Sequence, residues 1–577
     1  MTVLESHGDV IVIGAGPVGM VLAADLASRG VRVTVLEQRR QGEPPSVKCN
    51  HVAARTMEAF RRLGFVEQVR AAGLPADHAH DVAFRTATIG VEFGRIAIPC
   101  SAERYCASDA ADANWPTPEP PHRINQIYLE PILDAHLRTL PQVRIMNGIR
   151  CLEIEQRAGE VAVSVEALDD GSRFELSAPY LVGCDGGSSL TRHAISASFQ
   201  GDAVISRVQS TYIRAPRLME HLQGAPAWGT FSFNPRRCGI VYAIDGRERF
   251  LVHNYLHADE RDFDAIDRDW AMRTILGVER EFPLEVISQE DWFGRRLVAD
   301  KFADGRVFIA GDAAHLWVPY AGYGMNAGIA DALDLSWMLA ATVNGWGGPG
   351  LLAAYAAERL PITEQVSHYA MNQARAVAAQ RRVVPAEIED ENSAGADARR
   401  EFGERVYETN LAQYAAAGLN FGYYYDRSPV IAYDGSEAPG YSMGSYTPST
   451  VPGCRLPHLW QRDGSSLYDQ LGSGFALVCS AQKLATDSAV SASGSAPERL
   501  AAAAHARKLP FTAVTVDGAE AESLYGSYLV LVRPDGHIAW RGESLPDDLG
   551  ALLGHVTGDK LTEATTASVT SRNEGER

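Results

Sequence analysis

A glycine-rich turn near the N-terminus constrains the fold of this chain more than any other feature. The apolar run Val10–Ile13 predicts a strand, residues 18–28 have the spacing of a helix, and residues 31–36 are rich in β-branched side chains. The turn between the first strand and the helix reads Gly14-Ala15-Gly16-Pro17-Val18-Gly19. A strand, a glycine turn, a helix and a second strand make a βαβ unit, which predicts an α/β fold of the Rossmann type.

This turn is typical of dinucleotide binding. Its first glycine allows a tight turn, its second lets a pyrophosphate approach the backbone, and its third lets the helix and strand pack closely. Glu37, at the end of the second strand, is placed to accept hydrogen bonds from ribose hydroxyls and would repel a 2′-phosphate. The sequence therefore predicts a bound nucleotide with an unphosphorylated adenosine. The turn alone does not separate NAD from FAD.

Two further motifs place aspartates at the carboxyl ends of predicted strands, where ligands bind in open α/β sheets. In chain order they are Asp185-Gly186-Gly187-Ser188-Ser189-Leu190-Thr191-Arg192 and Gly311-Asp312-Ala313-Ala314-His315. With the glycine turn, they resemble the motifs of the single-component (class A) FAD-dependent aromatic hydroxylases, the group of p-hydroxybenzoate hydroxylase and of the phenol and polyketide hydroxylases. The resemblance covers essentially the whole chain.

The resemblance implies an FAD-dependent monooxygenase with resident FAD, and with NADPH or NADH and O2 as co-substrates. A flavin C4a-hydroperoxide would hydroxylate an electron-rich aromatic: a phenol, a hydroxypyridine or a polycyclic natural-product intermediate. The cofactor-binding residues that it implies are Gly14, Gly16, Pro17, Gly19, Glu37, Arg39, Arg55, Gln126, Asp185, Arg192, Asp312, Pro319, Gly322, Gly324, Met325 and Asn326. Many relatives have Pro-Pro-x-Gly-Gly-Gln-Gly in the last of these segments. Because Val318, Ala321 and Tyr323 depart from that pattern, the flavin environment is expected to differ slightly.

The substrate is expected to lie against strand-like segments between residues 207 and 255. The candidate substrate residues there are Tyr212, Trp228, Phe231, Tyr242 and His253. A phenol is activated by losing its proton, so a base or a relay must reach its hydroxyl. Pro319, His253 and Tyr242 are the candidate catalytic residues. Each aromatic or histidine is also compatible with a role in core packing alone, and the sequence leaves both interpretations open.

The expected fold is α/β, with a Rossmann-like FAD-binding domain, an inserted mixed-sheet substrate domain and a C-terminal domain that the resemblance implies is thioredoxin-like. The predicted boundaries are 1–200 and 285–425 for the FAD-binding domain, 201–284 for the substrate sheet, 426–456 for a linker, 457–560 for the thioredoxin-like domain and 561–577 for a disordered tail. Residues 75–110 are expected to contribute partly to the substrate side. The C-terminal domain lacks a Cys-x-x-Cys motif, which favours a structural role.

Composition excludes several other classes of protein. The 53 basic and 72 acidic side chains give a net charge of −19, which argues against a nucleic-acid partner. No long uninterrupted apolar segment and no signal peptide are recognised, so a cytoplasmic protein without a membrane partner is expected. The eight cysteines show no metal-ligand spacing, so no metal is predicted. The resemblance makes a homodimer possible.

The sequence also bears on three rival functions. The same cofactor could instead catalyse Baeyer–Villiger insertion or epoxidation on a polyketide, and the sequence does not exclude this. Halogenation is disfavoured because the Trp-x-Trp-x-Ile-Pro segment of flavin halogenases is absent. A non-catalytic flavin-binding escort protein is the remote alternative.

Overall fold

The computed structural model describes residues 2–3, 8–48, 50–110, 112–488, 494–526 and 528–559. Cys49 and the predicted disordered tail at 561–577 lie outside these residues. The strands are β1 (Thr2–Val3), β2 (Val10–Ile13), β3 (Val33–Glu37), β4 (Val82–Arg85), β5 (Glu92–Ile96), β6 (Val143–Asn147), β7 (Ile149–Arg157), β8 (Glu160–Ala167), β9 (Arg173–Ala178), β10 (Tyr180–Gly183), β11 (Phe199–Arg214), β12 (Gly229–Ser232), β13 (Gly239–Ala243), β14 (Arg249–Tyr255), β15 (Glu285–Ala299), β16 (Ala303–Asp304), β17 (Val307–Ile309), β18 (His315–Trp317), β19 (Phe475–Ser480), β20 (Phe511–Val516), β21 (Leu529–Val532) and β22 (Ile538–Gly542).

The helices are α1 (Pro17–Ser28), α2 (Ala54–Leu63), α3 (Val66–Arg70), α4 (Gln126–Leu137), α5 (Leu190–Ala194), α6 (Arg268–Leu276), α7 (Gly324–Val343), α8 (Ala353–Arg381), α9 (Ser393–Tyr414), α10 (Ala417–Phe421), α11 (Leu467–Gln470), α12 (Ala481–Ser488), α13 (Ala496–Ala506), α14 (Ala519–Tyr525) and α15 (Leu549–Val556). Short 3-10 turns lie at Leu218–His221, Gly311–Ala313, Tyr320–Gly322 and Ala386–Glu389. Among the described residues, no helix combines the length and the apolar composition that a bilayer span requires.

A six-stranded sheet with the order β16-β17-β10-β2-β3-β6 carries all three sequence motifs. From β17 to β6 its strands are parallel, and α1 connects β2 to β3 as the glycine turn predicted. Strands β2, β10 and β17 end in register, with Ile13 opposite Gly183 and Gly183 opposite Ile309. The glycine turn and the two aspartate motifs that follow these strands therefore meet at one edge of the sheet.

An eight-stranded sheet with the order β18-β15-β11-β14-β13-β12-β4-β5 forms the other main layer. It extends beyond the predicted segment 201–284, because its long strands β11 and β15, of 16 and 15 residues, reach outside that segment and because it includes β4, β5 and β18. Strands β4 and β5 place part of residues 75–110 on this sheet. Its apolar face packs against α8 and α9, where Phe233 meets Phe402 with ring centroids 5.3 Å apart.

The smaller sheets flank these two. Strands β1, β9, β8 and β7 form one, and the C-terminal sheet has the order β20-β19-β21-β22. Residues 426–456 contain no helix and no strand beyond an isolated bridge at Arg455, and their role as a linker stays a prediction. Six of the described cysteines are free thiols, and three of these six are buried: Cys100, Cys238 and Cys454.

Buried charges join the C-terminal domain to the rest of the chain. Arg533 donates two hydrogen bonds to Glu358 of α8, at 2.5 and 2.7 Å, and a further one to Asp535. These three side chains are almost fully buried. Trp337 of α7 donates to the Asp535 carboxylate at 3.2 Å. Breaking such a buried pair costs about 3–5 kcal/mol, so the domain is firmly attached.

Candidate active site

A cavity of about 1290 Å³ opens at the sheet edge where the three motifs meet. One end is lined by Ala15, Glu37 and Arg39, next to the glycine turn. The cavity continues past Asp312 and the loop that precedes α7, and its other end lies against the eight-stranded sheet. It thus spans the FAD-binding and substrate segments predicted from the sequence.

The glycine turn has the geometry that its three glycines require. Gly14 has a φ of +101°, which favours glycine, and a Cβ there would meet the Cys184 carbonyl oxygen at 2.3 Å. A Cβ on Gly19 would lie 2.0 Å from the Gly14 oxygen, so only glycine lets α1 pack on the turn. At Gly16, which caps α1, a Cβ would meet nothing within 4 Å. Gly16 therefore leaves open space at the helix N-terminus, and Pro17 occupies the first helical position, where no N–H is needed.

Glu37 holds the turn and the following loop together. Its carboxylate accepts from Ala15 N and from Arg39 N, both at 2.8 Å. Arg39 donates to Glu130 at 2.9 Å, and Gln126 donates to the same carboxylate. Gln126 itself lies beside the cavity rather than in its wall, whereas Glu130 lines it. Sequence reasoning missed Glu130, although its position four residues after Gln126 on α4 places both on one helix face.

Asp185 and Arg192 are used in contacts within the protein. The Asp185 carboxylate accepts from the Ser189 hydroxyl at 2.6 Å and from Thr191 N at 3.0 Å, which closes the turn before α5. Arg192 donates to the Ala313 oxygen at 3.2 Å and lies over the ring of Phe199. Neither side chain reaches the cavity wall. Their contacts fasten the second motif to the third.

Asp312 faces the cavity and has no hydrogen-bond partner among the described residues. The surrounding protein raises the pKa of its carboxyl by burial, while His315 and Lys48 oppose that shift. The turn before it is fixed by Asp331, which accepts from Gly311 N at 3.1 Å and contacts His315 Nε2 at 2.7 Å. Arg359 donates to Asp331 at 2.9 Å. These supporting residues come from distant helices and carry no local sequence signal.

The loop before α7 forms the middle of the cavity wall. Pro319, Gly322, Gly324 and Met325 all line the cavity. Asn326 does not, because its amide accepts from Ala53 N at 2.8 Å and donates to the carbonyl oxygens of residues 51 and 322 at 3.1 and 2.7 Å. These hydrogen bonds hold the loop, and the contact of Asn326 with the cofactor stays a prediction.

Arg55 also lies away from the cavity. It donates to the Tyr423 hydroxyl and to the Asp535 carbonyl oxygen, and it contacts His537 Nε2 at 3.1 Å. The structure thus places Arg55 at the junction with the C-terminal domain. No local pattern around Arg55 indicates this position, because its partners lie more than 360 residues away along the chain.

The far end of the cavity is aromatic. The five predicted substrate residues Tyr212, Trp228, Phe231, Tyr242 and His253 all line it. Other lining residues there, which sequence reasoning missed, are Tyr255, Trp292, Tyr320 and Tyr414. The rings of Trp228 and Tyr242 have centroids 4.9 Å apart. Such a lining binds flat apolar molecules through ring faces and edges.

A chain of hydrogen bonds sets the state of His253. Trp292 Nε1 donates to the Ser210 hydroxyl oxygen at 2.7 Å, and that oxygen lies 2.6 Å from His253 Nδ1. Since an indole only donates, the hydroxyl hydrogen is free to point at Nδ1, and in that arrangement the second ring nitrogen, Nε2, carries the proton. Burial, with a smaller contribution from Arg381, lowers the pKa of His253 to about 4. His253 is therefore neutral near pH 7.

Family models match both ends of the chain. A model described as "FAD binding domain" matches residues 7–370, and one described as "Aromatic-ring hydroxylase, C-terminal" matches residues 449–559. The chain belongs to the FAD-dependent aromatic-ring hydroxylases. Aklavinone 12-hydroxylase RdmE of Streptomyces purpurascens is 30% identical over 563 residues, which cover 95% of this chain and 98% of that relative.

Solved structures of this family resemble the chain along its length. The rebeccamycin biosynthetic enzyme RebC with reduced flavin has a TM-score of 0.85 and 33% identity, covering 96% of this chain and all of that one. RebC soaked with chromopyrrolic acid, with bound 7-carboxy-K252c, has a TM-score of 0.85 and 34% identity, covering 97% of this chain and all of that one. The predicted fold class and FAD cofactor are confirmed. The protein is an FAD-dependent monooxygenase that hydroxylates aromatic compounds with NAD(P)H and O2.

The residues of the cavity fit FAD. Gly16 leaves space where a pyrophosphate would approach the N-terminus of α1, and Asp312 presents an unpartnered carboxylate suited to hydroxyl groups. Trp317 lines the cavity, and its buried Nε1–H has no acceptor; a Cβ on Gly324 would lie 3.7 Å from that nitrogen. An acceptor edge placed at Gly324 would satisfy this orphaned donor. When bound, the flavin supplies the redox chemistry that activates O2.

Proposed function

We propose that the protein hydroxylates a multi-ring aromatic intermediate of natural-product biosynthesis. The observation that carries this proposal is the aromatic end of the cavity, where nine ring-bearing side chains line one continuous space with the cofactor end. A single phenol ring would contact few of these side chains. Several fused rings would bury much more apolar area against them.

The size of the cavity supports the same substrate class. Its volume of about 1290 Å³ exceeds the ~300–1,000 Å³ usual for ligand pockets, so room remains when the cofactor occupies its own end. RebC is named for the biosynthesis of rebeccamycin, and the aklavinone hydroxylase for aklavinone. The chain matches both along most of its length, and the proposal extends their substrate class to it.

The cofactor-binding roles follow from the positions in the cavity wall. We assign the phosphates to the turn from Gly14 to Gly19, the adenosine ribose to Glu37 and the ribityl chain to Asp312. The isoalloxazine ring is assigned to the wall from Pro319 to Met325, where the N-terminus of α7 would stabilise negative charge on the reduced ring. NADPH or NADH would bind transiently, because the glycine turn is the one dinucleotide fingerprint in the sequence.

The catalytic roles follow from the aromatic end. His253 is assigned as a hydrogen-bond donor to a substrate oxygen, and Tyr242 and Pro319 as walls that orient the ring. The C-terminal domain is assigned a structural role, because its buried Arg533 and Asp535 contact α7 and α8 rather than the cavity. The free thiols are compatible with the cytoplasm as the site of action. A homodimer stays a prediction.

The experiment that tests this function starts from the absorbance spectrum of the purified protein. NADPH and NADH oxidation is then followed with phenol, 2-naphthol and a hydroxyanthraquinone, and products are analysed after reaction in 18O2. We expect a flavin spectrum, the strongest stimulation by the three-ring compound, and one 18O atom in a new ring hydroxyl. Equal stimulation by phenol would contradict the multi-ring class.

A variant in the aromatic wall distinguishes a loss of substrate binding from a general loss of structure. Trp228→Ala removes a ring from the wall and should lower kcat/KM for the three-ring compound at least 10-fold, with flavin content unchanged. Trp460→Ala is the matched control, since Trp460 is exposed on the C-terminal domain. A ring-expanded lactone as the product would move the assignment to Baeyer–Villiger chemistry.

A further inference from the structure

A buried pair of arginines with one carboxylate lies against the aromatic end of the cavity. Arg104 and Arg123 are both buried, and Asp112 lies between them. Asp112 binds Arg104 at 2.9 Å, but its carboxylate is 3.9 Å from Arg123, beyond hydrogen-bond distance. Two cations thus share one anion, which leaves one positive charge without a close partner.

The nearby histidines do not change this balance. Burial and neighbouring positive charge lower the pKa of His51 and His80 well below 6.5, and burial, with Arg70, lowers that of His122 to about 3. All three are neutral near pH 7. Burial and Arg104 lower the pKa of Arg123 to about 10 against the opposing effect of Asp112, and the guanidinium still keeps its proton.

Arg123 lines the cavity and has donors to spare. Among the described residues it donates a hydrogen bond only to His51. Its guanidinium lies 4.4 Å from the ring centroid of Trp228 and 5.7 Å from that of Tyr414. These ring faces hold the Arg123 guanidinium in place, but they accept no hydrogen bond from its N–H groups.

Two tyrosine hydroxyls of the aromatic end are also unpartnered. Tyr242 and Tyr414 line the cavity with Arg123, and their hydroxyls have no hydrogen-bond partner among the described residues. Tyr414 is 92% buried, with 8% of its surface exposed. Burial raises the pKa of both phenols, so each keeps a hydrogen to donate.

Among the described residues, no carboxylate lines the aromatic end of the cavity. The carboxylates that line the cavity belong to its cofactor end or to its rim, where Glu290 pairs with Lys48 at 3.0 Å. An unpaired buried cation is costly, and an anion with oxygens matched to the guanidinium fork offsets that cost. The missing partner is therefore expected on the ligand.

We propose that Arg123, Tyr242 and Tyr414 bind an anionic oxygen of the aromatic ligand, either a carboxylate or a phenolate. This rests on the proposed function only in taking the ligand to be aromatic. If the group is a phenolate, the phenol proton leaves to water and Arg123 stabilises the anion that remains. Arg123 thus favours loss of the phenol proton, although no carboxylate base lines this end of the cavity among the described residues.

Two binding measurements on the flavin-loaded enzyme, made without NAD(P)H, distinguish the sources of the anion. In the first, 2-naphthoate is compared with 2-naphthamide, which has the same shape without the charge. Wild type should bind the carboxylate at least 10-fold more tightly. In the second, the pKa of bound 4-nitrophenol is read from its phenolate absorbance and should fall by at least one unit relative to the free probe.

Variants locate the effect. Arg123→Met should abolish both effects, and Arg123→Lys should keep part of each. Arg249→Met is the control, since Arg249 lines the exposed rim of the same cavity, and it should leave both effects intact. If Arg123→Met does not fold, Tyr414→Phe removes one donor while keeping the ring, and it should weaken the carboxylate preference about 3-fold.

Each outcome decides between the alternatives. A carboxylate preference that depends on Arg123 supports the site with a carboxylate ligand, and a pKa shift that depends on Arg123 supports it with a phenolate. If wild type shows neither effect, or if Arg123→Met keeps them, the proposal is overturned. If wild type binds the anions but hydroxylates no multi-ring aromatic, the proposed function fails and this site stands.

Discussion

The two ends of the cavity are built in different ways. At the cofactor end, the backbone turn from Gly14 to Gly19 and Glu37 lie together, and Arg39 and Glu130 complete the wall around them. The aromatic end takes side chains from Arg123, from β11 to β15 and from Tyr414 at the end of α9. The first depends on backbone geometry that a single methyl group disturbs. The second depends on side chains that can be exchanged while the backbone stays in place, which suits it to setting specificity.

The largest expected effect is at the cofactor end. Gly19→Ala places a Cβ about 2.0 Å from the Gly14 oxygen, so α1 cannot pack on the turn. We expect loss of bound FAD, at least a 100-fold loss of activity and a lower melting temperature. Flavin content and thermal unfolding measure this.

Gly16→Ala is the matched comparison, because its methyl group enters open space. The apoprotein should melt as wild type does, while FAD affinity falls. A variant at Gly16 that binds FAD normally would show that the phosphates do not pass there.

An intermediate effect is expected at Glu37. Glu37→Gln replaces one of the two oxygens that accept from Ala15 N and Arg39 N with a donor. Hydrogen bonds to charged groups contribute about 1.5–3 kcal/mol, so the Kd for FAD should rise about 10-fold to 100-fold. Equilibrium dialysis measures it. The control is Asp9→Asn at an exposed ion pair, and an equal effect there would argue against a role for Glu37 in binding.

The same contrast explains what the sequence could predict. The three motifs and the parallel strands could be recognised because each depends on short local patterns. The five predicted substrate residues line the cavity, and their role stays a prediction. The predicted helix at 325–343 is observed at Gly324–Val343. Arg55 and Asn326, predicted from the resemblance to bind the cofactor, make their contacts with residues far away in sequence and do not line the cavity. Their cofactor roles stay predictions. Arg123, Tyr414 and Glu130 could not be assigned for the same reason, since long-range packing decides which side chains meet.

A smaller effect is expected at the aromatic end. Ser210→Ala removes the link between Trp292 and His253, so the ring can take either tautomer. We expect kcat/KM to fall about 5–10-fold, which is about 1 kcal/mol, with FAD affinity unchanged. Steady-state kinetics measure kcat/KM, and flavin titration measures the affinity for FAD. Trp292→Phe should have the same effect in weaker form, and a change in FAD affinity would contradict the separation of the two ends.

The smallest effect is on pH dependence. Because the pKa of His253 is about 4, His253→Gln should leave the shape of the kcat/KM profile unchanged between pH 6 and 8. Stability should respond instead. Unfolded histidine protonates near pH 6.5 and folded His253 near 4. The free energy of unfolding of the protein therefore falls as the pH falls through this window, by about 2 kcal/mol between pH 7 and 5.

Denaturant unfolding of wild type and His253→Gln at pH 7 and 5 measures that difference, since the other histidines are common to both. An inflection near pH 6.5 in the wild-type activity profile that the variant lacks would show that His253 titrates as a base.

The buried junction at Arg533 has a consequence for recombining domains between relatives. A C-terminal domain grafted from another hydroxylase would bring its own residues to the positions of Arg533 and Asp535, while the host would keep Glu358, Trp337 and Arg55. If the residues on the two faces of the junction did not match, a charged side chain would be buried without its ion-pair partner. Chimeras of these enzymes should therefore exchange the C-terminal domain together with the facing residues of α2, α7 and α8, because the two sides of this interface must match.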